Sequence, residues 1–227
     1  MHIKNRIKHF MGRYPRVFFP IARWVLSPVV VEECLFSSDK ELVIEGFPRS
    51  ANTFSVVAFR QAQQRHVPMA HHLHVEAQII QGVRKGKPVI VLIRNPVDAV
   101  KSLLIRHQHI DPAWAFRRYY LFYKTVLRLE EHVVIADFSA VTSDFGSVIR
   151  RVNKKFGTYY DIFQHTKENV ANVFRDVELI NDRLDNGKES HVARPSKRRS
   201  EIKVDINEQN AYVANALEIY ERLSHKN

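Results

Sequence analysis

Cysteine is almost absent. Cys34 stands alone among 227 residues, so no intramolecular disulfide can form and no metal set can be built on thiolates. A chain like this is expected in a reducing, cytoplasmic compartment. Acidic residues are too few to balance the basic ones: 24 Asp and Glu against 35 Lys and Arg leave a formal charge of +11. That excess predicts an anionic partner, which could be nucleic acid, a membrane surface or a polyanionic small molecule. Long hydrophobic runs are missing too. The most apolar part of the N-terminal segment, Phe18 to Val31, is broken by Pro20, Arg23 and Pro28 and is too short and interrupted to span a bilayer. It carries no clear signal-peptide cleavage pattern. Residues 1–40 are expected to form a basic, aromatic arm or helix packed on the domain, with peripheral contact to anionic lipid as the alternative. No internal repeat and no low-complexity linker occurs.

What is present is enough for a sizeable core: 45% of residues are hydrophobic and 11% aromatic, which excludes wholesale disorder. Short apolar runs alternate with longer segments of helical period. This pattern predicts an α/β domain over residues 41–227 with a mainly parallel central sheet. Strands are expected at Glu41 to Phe47, in or near "VPMAHHLH", at Val89 to Ile93 and in "HVVIADF". Helices are expected at about Asn52 to Arg65, Val75 to Lys85, from Pro96 onward, Pro112 to Glu130, across "DFGSVIRRVNKKFG", onward to about Leu184, and from Asn207 to Ser224. Asn95 as N-cap, Pro96 at the first helical position and Asp98 in the first turn mark one helix start clearly. The stretch "DNGKESHVARPSKRRSE" has a mobile composition.

Two stretches carry chemistry. "VIEGFPRSANTF", Val43 to Phe54, runs from a buried strand through a loop into a helix. Such a loop presents backbone N–H groups and a helix N-terminus to an anion. Arg49 adds a full charge, and Ser50, Asn52 and Thr53 add short donors. The loop is not a Walker loop, because the lysine and second glycine of G-x-x-x-x-G-K-[ST] are missing. By itself it also fits a plain strand-to-helix turn. Ala51 is expected to take a negative φ, since a positive one favours glycine.

"LIRNPVDAVKSLL" places Arg94 at the end of the next strand and Ser102 two turns into the following helix. Guanidinium and hydroxyl can close on one phosphate from two sides; an arginine capping a neighbouring helix beside a solvated serine is the alternative. A third stretch, "MAHHLHVEA", gathers His71, His72 and His74. Either a proton acceptor, an acceptor-shaping group or a metal ligand could come from it, although zinc would need a third ligand that no cysteine or carboxylate motif supplies. The aromatic run Trp114, Phe116, Tyr119, Tyr120, Phe122 and Tyr123 covers too much of one helix for a single core face. Part of it is open to lining a substrate pocket.

Together the first two stretches resemble the cofactor loops of the sulfotransferase family that uses 3′-phosphoadenosine 5′-phosphosulfate (PAPS). The family's first loop, P-[KR]-S-G-T-[TS]-[WF], corresponds to Pro48-Arg49-Ser50-Ala51-Asn52-Thr53-Phe54, with Ala51 and Asn52 as departures. Its second, R-[ND]-P-x-[DE]-x-x-x-S, is matched by Arg94 through Ser102 at every fixed position. The resemblance spans about Glu41 to Arg199. It implies a three-layer α/β/α fold like that of P-loop nucleoside-triphosphate hydrolases, PAPS as sulfuryl donor without a metal, and a hydroxyl acceptor of carbohydrate, lipid or small-alcohol type. It also implies residue roles: Arg49 at the oxygen bridging sulfate and phosphate, Ser50 through Phe54 around the 5′-phosphosulfate, and Arg94 and Ser102 on the 3′-phosphate. Arg194, Lys197, Arg198 and Arg199 fall in the late basic loop that closes over the nucleotide. The family's base is a histidine before a leucine, some two dozen residues ahead of the second cofactor arginine. His72, followed by Leu73 and 22 positions before Arg94, fits; His71 and His74 are near enough to exchange with it.

Other readings are a P-loop kinase-like phosphotransferase, disfavoured by the missing Walker lysine, and a non-catalytic basic module binding nucleic acid or another polyanion. No helix-turn-helix, zinc or RNA-binding signature supports the latter, so no nucleic-acid partner is expected.

Overall fold

The strands of the sheet are buried along their whole length except at the last residue of β4, as strands covered on both faces are. In the computed structural model, which describes residues 8–185 and 211–224, four such strands form one sheet. They are β1 (Leu42–Gly46), β2 (Met69–His71), β3 (Val89–Ile93) and β4 (Val134–Asp137), in spatial order β2-β1-β3-β4. All three pairings are parallel, with Ile44 opposite His71, Gly46 opposite Leu92 and Ile93 opposite Asp137. The helices are α1 (Pro15–Val25), α2 (Pro28–Cys34), α3 (Asn52–Ala62), α4 (Glu76–Arg84), α5 (Pro96–Arg106), α6 (Pro112–Leu127), α7 (Phe138–Phe156), α8 (Lys167–Asp185) and α9 (Ala211–Ser224).

The alternation of side chains along each strand divides the core in two. Val43, Val89, Val91, Ile93 and Ile135 point to one face, where they meet α4, α5, α6, α9 and the N-terminal helices. Leu42, Ile44, Ile90, Leu92, Val134 and Ala136 point to the other, against α3, α7 and α8. The result is an α/β arrangement with the parallel sheet that the sequence pattern predicts and the three layers that the resemblance implies.

Helix starts follow local chemistry. Asn95 Oδ1 accepts from Val97 N and Asp98 N at 3.0 and 3.4 Å, and Asp111 Oδ2 accepts from Trp114 N at 2.9 Å. Most ends fall within three residues of the sequence pattern, and one helix start differs by more. The helix expected from Asp144 is the second part of α7, which begins at Phe138 under an Asp137 cap and kinks where Asp144 has φ −153° and ψ 76°. Asp144 caps the second part through Ser147 N at 3.1 Å, so the sequence signal marked an internal restart.

The N-terminal helices are fastened to α4. Ala77 N donates to Gly12 O at 2.6 Å, and Phe36 N donates to the Gln78 side chain at 2.7 Å. Phe18, Phe19, Ala22, Leu35 and Phe36 are buried in the adjoining core. Among the described residues no helix is long and apolar enough to cross a membrane.

Candidate active site

After β1 the chain turns to α3 on one face of the sheet; after β3 it turns to α5 on the other. The strand order reverses direction between β1 and β3, which opens a crevice at their carboxyl ends, where ligands of open α/β sheets lie. The two stretches singled out in the sequence are the two walls of this crevice.

The first wall is held tightly. Gly46 is needed where the strands approach: a Cβ there would sit 2.5 Å from Leu92 O. Phe47 N donates to the Tyr123 hydroxyl at 3.2 Å, which itself donates to Leu92 O at 2.6 Å. Asn52 Nδ2 reaches back to Phe47 O at 3.0 Å, closing the loop on itself. Arg49 and Ala51 both have positive φ, 73° and 65°. The expectation of a negative φ at Ala51 is therefore overturned. Left-handed backbone costs an alanine roughly 1–2 kcal/mol. The loop holds it because Ala51 O accepts both Ser55 N and Ser55 Oγ, at 3.0 and 3.1 Å.

The side chains of this loop divide. Ser50 is buried with its hydroxyl against Tyr123, Asn52 is turned inward, and Phe54 is packed among Phe145, Phe163 and Phe174. The implied role of Phe54 beside the phosphosulfate is corrected accordingly: its ring belongs to the core, and only its backbone can serve the loop. At positions 52 to 54 the first turn of α3 has N–H groups without intrahelical acceptors. Among the polar side chains of the loop, Arg49 and Thr53 are half-buried where Ser50 and Asn52 are buried.

The second wall meets the first directly. Arg49 Nε donates to Ser102 Oγ at 3.0 Å, which leaves the Ser102 hydroxyl proton to donate elsewhere. Arg94 Nη1 donates to Arg49 O at 3.0 Å, and its guanidinium lies 4.2 Å over the Phe138 ring. Burial lowers the Arg94 pKa, with Asp98 acting against it. Tyr119 anchors this strand end by donating to Arg94 O at 2.7 Å. Arg49, Arg94 and Ser102, far apart in sequence, thus come together. Arg194, Lys197, Arg198 and Arg199 lie outside the described residues.

His71 ends β2, and His72 and His74 occupy the turn after it, where the backbone is again left-handed: φ is 59° at His72 and 54° at His74. Histidine tolerates this region better than most residues. The turn hangs on Glu45, which points from β1 into the core. Its carboxyl accepts Leu73 N at 2.9 Å, His74 N at 3.0 Å and Gln78 Nε2 at 3.1 Å. Burial raises the Glu45 pKa to about 7 against these bonds.

Hydrogen-bond logic then fixes the protons. Arg60 has no acceptor atom, so at 3.1 Å it donates to His71 Nε2. His71, held neutral because burial and then His72 depress its pKa to about 2, must carry its proton on Nδ1. It donates that proton to His72 Nδ1 at 2.9 Å. His72, depressed by burial and Arg60 to about 4, must carry its own on Nε2, donated to Thr53 Oγ1 at 3.2 Å. Arg60, His71, His72 and Thr53 form a one-way chain whose last hydroxyl proton is left for a ligand in the loop. His74 differs. Its Nδ1 donates to Gly46 O at 2.8 Å, so Nε2 carries the lone pair, and no hydrogen bond among the described residues occupies it. Burial, then His72, lowers its pKa to about 3. His74 O is also held by Arg118 Nη2 at 3.2 Å, while Arg118 makes a buried two-pronged pair with Glu76 at 2.6 and 2.7 Å.

Glu45 and Arg118 support the site and were not singled out from the sequence; the aromatic run was, with part of it open to lining a substrate pocket. Tyr119 and Tyr123 are four apart on one helix face, and in place of a substrate pocket their rings fill the core while their phenols tie down both loops. Glu45, an acid inside an apolar strand, was the readable signal for the histidine turn. Surface hollows of about 410 and 560 Å³ open elsewhere, beside Arg151 and Lys155 and beside Gln61 and Arg175. The crevice is marked by its donors.

No family model matches the sequence, and no curated protein is found to be similar. Among solved structures, the chain is similar to mouse sulfotransferase SULT7A1 complexed with PAP, at 10% identity and a TM-score of 0.48. The match covers 88% of this chain and 93% of that one.

Proposed function

We propose that the chain is a sulfotransferase that moves the sulfuryl group of PAPS to a hydroxyl acceptor. One observation carries this reading: Arg49, Arg94 and Ser102, the charged and hydroxyl positions of both motif stretches, meet at the sheet's switch point. Two guanidiniums, two hydroxyls and a helix start make a donor set suited to a nucleotide with more than one phosphate. Arg94 and Ser102 hold the 3′-phosphate. Arg49, Thr53 and the first turn of α3 hold the 5′-phosphosulfate. PAPS supplies an activated sulfuryl group on a phosphate leaving group.

In the reaction the acceptor oxygen bonds to sulfur while the bond from sulfur to the bridging oxygen breaks, its electron pair staying on the phosphate. Arg49 stabilises that growing charge. The hydroxyl proton goes to a neutral histidine. The resemblance to the sulfotransferase family favours His72 for this task, but both of its ring nitrogens are engaged and Nε2 is a donor. His74, with Nδ1–H fixed on Gly46 O, offers the bare nitrogen that a base requires. We therefore assign the base to His74 and make His72 a positioning residue that orients Thr53.

A thermal-shift comparison tests the reading. 3′-Phosphoadenosine 5′-phosphate should raise the melting temperature more than ATP with Mg²⁺ or a mixed oligonucleotide, and Arg94→Ala should remove the preference for the 3′-phosphate. Equal stabilisation by ATP with Mg²⁺ would favour a kinase-like phosphotransferase. A salt-sensitive response to the oligonucleotide alone would favour a polyanion-binding module.

A further inference from the structure

The N-terminal helices bury one side against the core and leave the other side apolar. Phe18, Phe19 and Ala22 face inward. On the outer side Phe10, Tyr14, Val17, Ile21, Trp24 and Val29 follow one another at spacings of three to five residues. Trp24 is 88% exposed, Val29 68% and Phe10 63%. Singly exposed apolar residues are ordinary on protein surfaces; a continuous stripe with an outward tryptophan is not.

Charge specifies what covers it. The first acidic residue of the chain is Glu32, and before it stand Lys4, Arg6, Lys8, Arg13, Arg16 and Arg23. Arg16 and Arg23 are exposed on α1, which holds no acid. Tryptophan and other apolar residues on one side with arginines beside them is the pattern of a helix lying in a membrane interface. A second copy of the chain would bring the same arginines against each other.

We propose that the outer face of α1, extended by Phe10 and Tyr14 before it and Val29 after it, docks the protein on an anionic lipid surface. The apolar stripe enters the headgroup boundary and Arg16 and Arg23 meet lipid phosphates. Gly12, buried between Phe10 and Tyr14, accepts from Ala77 N and lies beside Val75, so the inner side of this segment packs just after the histidine turn. The inference does not depend on sulfotransfer.

Co-sedimentation of the full chain with vesicles tests it. The protein should bind vesicles of equimolar phosphatidylcholine and phosphatidylglycerol and bind pure phosphatidylcholine weakly. Arg16→Gln with Arg23→Gln should weaken binding by roughly 30-fold, from two lost charges at the surface, and added salt should mimic that loss. Trp24→Glu should weaken it by at least about tenfold. Both variants change exposed side chains, and unchanged melting temperatures show that the fold is intact. Failure of wild type to sediment with anionic vesicles overturns the proposal, as does equal binding to neutral ones. Concentration-dependent dimerisation abolished by Trp24→Glu, without vesicle binding, would make the stripe a subunit interface and also overturn it. A missing thermal shift with 3′-phosphoadenosine 5′-phosphate would sink the proposed reaction and leave this result standing.

Discussion

The loop after β1 and the turn after β2 use the same backbone device for opposite electrostatic ends. Each places two non-glycine residues at positive φ: Arg49 and Ala51 in one, His72 and His74 in the other. Such conformations cost about 1–3 kcal/mol apiece and persist where surrounding bonds over-determine them. In the loop, the bonds from Asn52, Ser55 and Tyr123 hold guanidiniums and N–H groups toward the crevice, concentrating positive charge. In the turn, Glu45 clamps two backbone N–H groups while burial keeps three imidazoles neutral. On the function proposed above, the first region holds an anion. Its neighbour keeps imidazole lone pairs and protons in fixed places. The sulfuryl transfer proposed above, which moves an anionic group and removes a proton, needs both.

The sharpest way to separate the two regions is through the histidines. His74→Asn keeps a donor where Nδ1–H meets Gly46 O and lacks only the bare nitrogen; turnover should fall about 10²- to 10⁴-fold, with nucleotide affinity unchanged. His72→Gln keeps the donor to Thr53, so most of the turnover should survive in steady-state kinetics. The reverse ranking would return the base to His72. In the loop, Arg49→Ala should lower turnover by about 10²- to 10³-fold and leave the melting temperature near that of wild type. Loss of affinity without loss of turnover would deny Arg49 a part in stabilising the leaving charge.

Acid distinguishes the regions next. His9 and His71 sit at about 2, His74 at about 3 and His72 at about 4 when folded, against an ordinary 6.5. Unfolding lets them bind protons, so the stability they contribute above pH 6.5 is lost as pH falls, by about 1.4 kcal/mol per pH unit for each net proton taken up. Glu45, raised to about 7, runs the other way as one group against four. The melting temperature should therefore drop steeply between pH 7 and 5. A flat profile would mean that the imidazoles are not held neutral. The smallest expected effect lies in the loop: Ala51→Gly removes left-handed strain and should stabilise by about 1 kcal/mol, roughly 2–4 °C in melting temperature. A drop on calorimetry would show that the alanine methyl contributes more by packing than its backbone loses by strain.

The sequence was most legible where local chemistry decides. β3 was bounded to the residue because five consecutive apolar residues end at Arg94-Asn95-Pro96, and Asn95 caps the helix it was expected to cap. The aromatic run on α6 was harder. Phe116, Tyr119, Phe122 and Tyr123 are all buried, because the sheet, α4, α5 and α9 surround that helix on several sides, and no periodicity in one helix reveals how many neighbours it has. The proton arrangement of the histidine turn was beyond reach: it depends on Arg60, eleven residues from His71, and on Gly46 O from another strand.

By itself, then, the sequence determined the alternation of buried strands and capped helices, the basic excess, and the residue types at both walls of the crevice, since hydrophobic period and capping are local. Only the tertiary structure decided that Arg49 meets Ser102, that Ala51 is left-handed, and which histidine keeps an open nitrogen. Those outcomes depend on contacts between strands and helices distant in the chain, where parallel pairing and burial set both backbone conformation and the place of each proton.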